Sequence, residues 1–200
     1  MLVWNHLTHA SNWVRQTPSQ PKKTPTSPAN ALIRRSLREG IQTTINMAVE
    51  ELKTVLRLQA TVVEGFGRGG KQLGCPTANL SRKDLGDLLD QLPTGIYCGW
   101  ATVDGKGPYK AVASIGWNPY FKNKVSLRIE KTVEPHLLHK FDKDFYGAQL
   151  KFLINGYIRP EKDFKSLEAL VEAIQDDITQ SDQWLDTAEG KAWTQDALFQ

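Results

Sequence analysis

Residues 95–116 constrain the fold most. They read GIYCGWATV, then DGKGP, then YKAVASIG. Two runs rich in β-branched and aromatic residues flank an Asp-Gly turn signal, which predicts an antiparallel hairpin. Similar runs recur along the chain: LRLQATVVEG at 56–65, VSLRIEKTVEPHLL at 125–138 and AQLKFLINGYI at 148–158. The run at 125–138 reads as one long strand or two short ones, and its Pro135 requires an edge or a bulge. WNPYFKN at 117–123 reads as a loop. In the last strand Leu150, Phe152 and Ile154 share one face.

After these strands comes the clearest helix. Ser166 is its expected N-cap, and Leu167, Leu170, Val171, Ile174 and Ile178 form its apolar stripe. A shorter helix is expected from Ser81, with Asp84 three residues on and Leu85, Leu88 and Leu89 facing inward. About six strands in succession followed by one helix argue for a mainly β fold: an antiparallel barrel with a flanking C-terminal helix. The same order argues against alternating βαβ units.

The chain before the strands has a different character. The first 38 residues hold six Lys/Arg and no Asp or Glu, with frequent Ser, Thr and Pro. Such a segment buries too little apolar surface to order itself. It reads either as a mitochondrial or plastid transit peptide or as a disordered tail of a cytoplasmic protein. From about 30 to 53, apolar residues recur at helical spacing and predict an amphipathic helix. The expected organisation is an extension over 1–53, a barrel with its helix over 54–182 and a tail over 183–200. No apolar run approaches the roughly 18 residues of a membrane span. The net charge of +3 is too weak to argue for nucleic acid but suits an anionic small ligand. The two cysteines, Cys75 and Cys98, form neither a disulfide framework nor a Cys-rich metal site, which favours a reducing compartment.

GFGRGGKQLGCPTANL, residues 65–80, invites three phosphate-loop readings. A P-loop needs Ser or Thr after its lysine, and here Gln72 follows Lys71. That loop and the dinucleotide fingerprint both need a following helix, which Gly74 and Pro76 oppose. The kinase pattern of the same glycines lacks its downstream elements. Either a flexible hairpin loop remains, or a glycine flap of another kind. A flap would bring backbone N–H groups, Arg68 and Lys71 to phosphate oxygens. Thr77 and Asn79 offer hard oxygen donors on one face of an extended segment.

Glu134 lies between Val133 and Pro135. Read alone, it is either an edge-strand carboxylate paired with Lys131 or Arg128, or a proton acceptor. His136 and His139 beside it suggest a metal triad, but i, i+3 spacing on a strand suits one poorly. His139 is expected to contact a nucleotide or pack in the barrel, and His136 to pair across strands. Trp100 and Trp117 are expected to pack in the core, against an oligonucleotide-binding reading.

GFGRGGKQLGCPTANL, TGIYCGWATV, SIGWNPYFKN, KTVEPHLLHKF, DFYG and GYIRPEKDFKSLEALVEAIQDDI, in this order over about 55–180, resemble the eukaryotic-type riboflavin kinases. The resemblance implies a six-stranded Greek-key barrel with a flanking helix. It also implies transfer of phosphate from ATP to riboflavin, giving FMN and ADP, with Mg²⁺ or Zn²⁺. Under it, Gly65, Gly67, Arg68 and Lys71 cover the ATP phosphates, and Thr77 and Asn79 hold metal and nucleotide. Leu137, His139, Tyr146 and Phe152 line the nucleotide pocket. Glu134 is the general base, and Arg159, Lys162 and Phe164 form the flavin side. Small-molecule substrates, no nucleic acid, no membrane and a monomer are expected, with no second catalytic domain and FMN rather than FAD as product. KVSLRIE before KTVEP is longer than the family pattern, so the strand before Glu134 is expected to be extended. The competing readings are a catalytically silent barrel that binds flavin or nucleotide, and an oligonucleotide-binding barrel.

Overall fold

The structure, a computed structural model, describes residues 49–65, 74–123 and 126–200, with the side chains of 118–129 left aside. The leader, most of the helix expected over 30–53, and Gly67, Arg68 and Lys71 lie outside the described residues. Contacts divide the chain into two units, and the second, residues 9–47, lies wholly outside them.

Six strands form one antiparallel sheet: β1 Glu50–Val63, β2 Asn79–Leu80, β3 Gly95–Val103, β4 Lys106–Asn123, β5 Ser126–Leu137 and β6 Gln149–Arg159. Their order is β2-β1-β6-β3-β4-β5. The two ends of that order meet where Ala78 N–H donates to the Pro135 carbonyl at 2.8 Å, so the barrel is nearly closed. Among the described residues the α-helices are α1 Arg82–Leu85, α2 Asp87–Gln91, α3 Leu167–Leu185 and α4 Ala188–Ala192.

The predicted hairpin is β3–β4. Asp104 and Gly105 both have positive φ, 47° and 75°, as a two-residue turn between twisted strands requires. β3 is buried along its whole length because both of its faces are covered. Tyr97, Ala101 and Val103 face the barrel interior, while Ile96, Cys98 and Trp100 face α3. Leu150, Phe152 and Ile154 share the interior face, as their alternation requires.

Several expectations are corrected. WNPYFKN is not a loop: it continues β4 and pairs with the extended start of β5. Residues 50–53 belong to β1 rather than to a helix. Gly86, at φ 53°, splits the short helix after Ser81 in two, which turns Leu88 out to 42% exposure while Leu85 and Leu89 stay buried. Ser81 caps α1 by accepting from Asp84 N–H, and the Asp84 carboxylate accepts from Thr61 N–H. Trp117 is exposed, with Lys131 over its ring.

α3 begins at the expected cap, where Ser166 Oγ accepts from Ala169 N–H. Its buried stripe is Leu170, Ile174, Asp177, Ser181, Trp184 and Leu185, and Leu167 is exposed. The helix runs straight through the boundary drawn at 182. The segment beyond it packs on the barrel instead of trailing away. Trp100 Nε1–H donates to the Gly190 carbonyl at 2.8 Å, and Asp196 accepts two bonds from Arg57.

Candidate active site

Pro135 explains how the barrel closes. On an edge strand one residue's N–H and C=O point to the same side. The Pro135 carbonyl points to Ala78, so its missing N–H faces the same gap and β4 loses no ladder bond. The Pro76 carbonyl lies 2.8 Å from His136 Nδ1. These two ties run the 76–80 segment antiparallel to β5 and set Asn79 alongside Glu134.

Glu134 is 4% exposed. It pairs across the sheet with Ser114, and its Oε1 accepts from the Thr132 hydroxyl at 3.0 Å. The inner face of β5 is Val133 and Leu137, so Glu134, Thr132 and His136 share the outer face.

Asn79 also meets the start of the glycine loop. A Cβ built on Gly65 would lie 2.9 Å from Asn79 Cγ and would overlap its amide nitrogen. At the other end of the loop, Cys75 is buried against α3, where Gln175 reaches its sulfur. Burial pushes the Cys75 thiol above its ordinary range.

A cavity of about 250 Å³ opens beside Thr77. Pro76, Thr77 and Ala78 form one wall, and Leu137, His139 and Tyr146 line it elsewhere. His139 stacks on Tyr109 at 4.4 Å and meets Phe141 edge-on at 4.8 Å, a wall suited to a flat ring. Lys140 and Lys143 alternate with Asp142 and Asp144 along the same rim, so the charges there are mixed. Phe152 does not reach this cavity: it is fully buried in the barrel core. Glu134 and Asn79 are likewise not among the lining residues: they lie further along the same two segments that bring Leu137 and Thr77 to the cavity.

Arg159, Lys162 and Phe164 converge on the segment that leads into α3. The guanidinium lies 5.7 Å from the Phe164 ring centre, and the Lys162 ammonium lies 5.2 Å from it. The Arg159 fork is committed to Asp177, with bonds of 2.8 and 2.6 Å. Burial raises the Asp177 carboxyl above its usual range, and the guanidinium opposes that shift. Sequence reading missed Asp177 because a carboxylate on the apolar side of a helix looks like a break in the pattern. Helical spacing of seven from Leu170 was the available signal.

Glu161 was missed as well. Its carboxylate rests on Gly116, where any side chain would collide with it. Desolvation raises its pKa, opposed by the Thr94 hydroxyl and the nearby Lys131 charge. Lys131 itself is held by the carbonyls of Leu92 and Asp90.

Among the described residues no cluster of His, Cys, Asp or Glu could hold a metal by itself. The donors beside the cavity are a hydroxyl and an amide, which suit a hard cation that brings most of its oxygens with a phosphate ligand. No described helix is long and apolar enough to cross a membrane.

A family model described as Flavokinase: Riboflavin kinase matches residues 52–185. The riboflavin kinase of Mus musculus is 49% identical over 139 residues, 70% of this chain and 86% of that protein. A bifunctional riboflavin kinase/FMN phosphatase of Arabidopsis thaliana is 54% identical over 125 residues. That stretch is 62% of this chain, which spans only 32% of the plant protein. The crystal structure of riboflavin kinase from Trypanosoma brucei superposes with a TM-score of 0.57 at 34% identity, over 75% of this chain and 90% of that one. The residues matched by the family model take in all of the barrel strands but the first two residues of β1, the Thr77–Asn79 segment beside Glu134 and the capped helix with Asp177. On these grounds the chain belongs to the riboflavin kinase family.

Proposed function

We propose that this chain phosphorylates riboflavin at the ribityl 5′-hydroxyl with ATP, giving FMN and ADP. One observation carries the assignment of parts. The bond from Ala78 N–H to the Pro135 carbonyl sets a threonine–asparagine pair beside a buried carboxylate.

Phosphoryl transfer asks for positioning and charge neutralisation more than for covalent help. The cavity by Thr77 takes the nucleotide, with its base against the His139–Tyr109 wall. Thr77 and Asn79 hold a divalent ion, Mg²⁺ or Zn²⁺, with the phosphates. That ion neutralises charge on the phosphates when bound. Gly65, Gly67, Arg68 and Lys71 are the residues proposed to cover the phosphates.

Glu134 accepts the proton of the attacking hydroxyl. The Thr132 hydroxyl fixes the orientation of that carboxylate. Lys162 and Phe164 meet the flavin ring, and Arg159 acts from its grip on Asp177 to hold that surface in place.

Incubation with riboflavin, ATP and Mg²⁺, followed by chromatography, tests the reading. FMN and ADP are expected in equal amounts. Absence of FMN with every divalent metal tried removes the kinase reading and leaves a binding barrel. The enzyme is proposed to act as a monomer, which light scattering checks. The acid-free leader is proposed as an organellar address. A reporter fused to residues 1–40 reads this directly, and diffuse cytosolic signal rejects it.

A further inference from the structure

His136 takes no part in the chemistry above, yet its ring is turned to a defined partner. The reason lies in a deficit that Pro135 creates. In an antiparallel pair, two facing residues normally exchange both of their backbone bonds. Ala78 gives its N–H to the Pro135 carbonyl at 2.8 Å, but a proline has no N–H to return. Pro76 likewise has no donor to offer. The clamp is therefore joined to β5 by half of a normal pair.

His136 supplies the missing donor. Its Nδ1 lies 2.8 Å from the Pro76 carbonyl. A carbonyl only accepts, so Nδ1 carries the proton in this bond. Burial lowers the pKa of the ring, and the bond to Pro76 opposes that shift. His136 pairs across the sheet with Val112, and its ring makes a second tie, to the 76–80 segment. Pro76 and Ala78 are thus both tied to β5, and they bracket Thr77 on either side.

We propose that His136 is a positioning residue for the nucleotide-phosphate clamp. By bonding Pro76, it holds Thr77 and Asn79 in register with Glu134. The proposal rests on the kinase reading above, and it concerns nucleotide binding rather than flavin binding.

Three variants separate donor geometry from bulk. Asn places an amide nitrogen where Nδ1 sits, Gln places it one carbon further out, and Leu has no donor. The probes are MgADP, by calorimetry, and riboflavin alone, by fluorescence quenching. His136→Leu and His136→Gln are expected to weaken MgADP about 10-fold, with riboflavin changed less than about 2-fold and His136→Asn within about 3-fold of the parent, as loss and return of one hydrogen bond imply.

Equal loss of both ligands across all three variants would show a merely structural histidine and overturn the proposal. So would parental MgADP binding by His136→Leu. If the Leu variant does not fold, the Asn–Gln contrast decides alone, and equal behaviour of those two overturns it. Failure of the parent to bind MgADP at all strikes the kinase reading instead, so the two failures are distinct.

Discussion

Gly65 lies against the side chain of Asn79, so close that a Cβ there would stand 2.9 Å from Asn79 Cγ. The entrance of the glycine loop and the amide of the proposed metal clamp thus share one contact. The space left by a missing side chain is what lets the amide lie there. Gly65→Ala must push Asn79 aside. We expect a rise in the Mg²⁺ and ATP concentrations needed for half-maximal rate, with riboflavin quenching unaltered. Parental nucleotide dependence in that variant would mean that the contact is incidental.

Glu134→Gln keeps the shape and the bond from Thr132 but loses the basic oxygen. The expected fall in kcat is about 10²–10⁴-fold, with little change in riboflavin affinity. A variant that turns over at the parental rate would falsify the base assignment.

The Arg159–Asp177 pair joins the flavin-side segment to α3. Asp177 is 1% exposed and Arg159 is 16% exposed on their side chains. Removing one partner of such a pair strands the other charge, so Asp177→Ala should cost about 3–5 kcal/mol. Denaturant unfolding measures this. Riboflavin affinity should fall too, since Arg159 loses its support. A fully stable variant with parental flavin binding would refute the linkage.

Trp184 is 6% exposed and packs in the cluster between barrel and helix. Trp184→Ala should therefore cost about 3–5 kcal/mol. Were the segment after 182 a dispensable tail, thermal unfolding of this variant would match the parent.

Glu161 gives a pH signature. Desolvation, partly offset by Thr94 and Lys131, raises its pKa in the folded state. The unfolded chain ionises first as pH rises from about 4.5, so this group favours folding below that point and loses its contribution as pH climbs through the folded value. Glu161→Gln removes this dependence. At neutral pH the variant should melt slightly higher than the parent, and the gap should close near pH 4. The gain is small because the group is partly solvated. A gap that is constant with pH would assign the effect to packing alone.

Much of this molecule was legible in local chemistry. Asp-Gly between two β-branched runs dictated the β3–β4 hairpin, because few other residues accept positive φ twice in succession. Alternation at Leu150, Phe152 and Ile154 named the inner face of β6. Ser166 announced the start of α3. The blocks around Thr77, Asn79 and Glu134 carry the family resemblance by themselves.

What the sequence could not supply was the third dimension of polar residues. Asp177 and Ser181 break an apolar stripe when written out in a line, and are buried because Arg159 and the barrel wall come from elsewhere in the chain. Phe152 matched a pocket position by motif but points into the core, since strand parity and barrel closure fix its side. The role of Pro135 emerged only when the edge of β5 met Ala78. A hydrogen bond between residues some sixty positions apart leaves no periodic trace, and only the closing of the barrel determines which side chain must replace the missing donor.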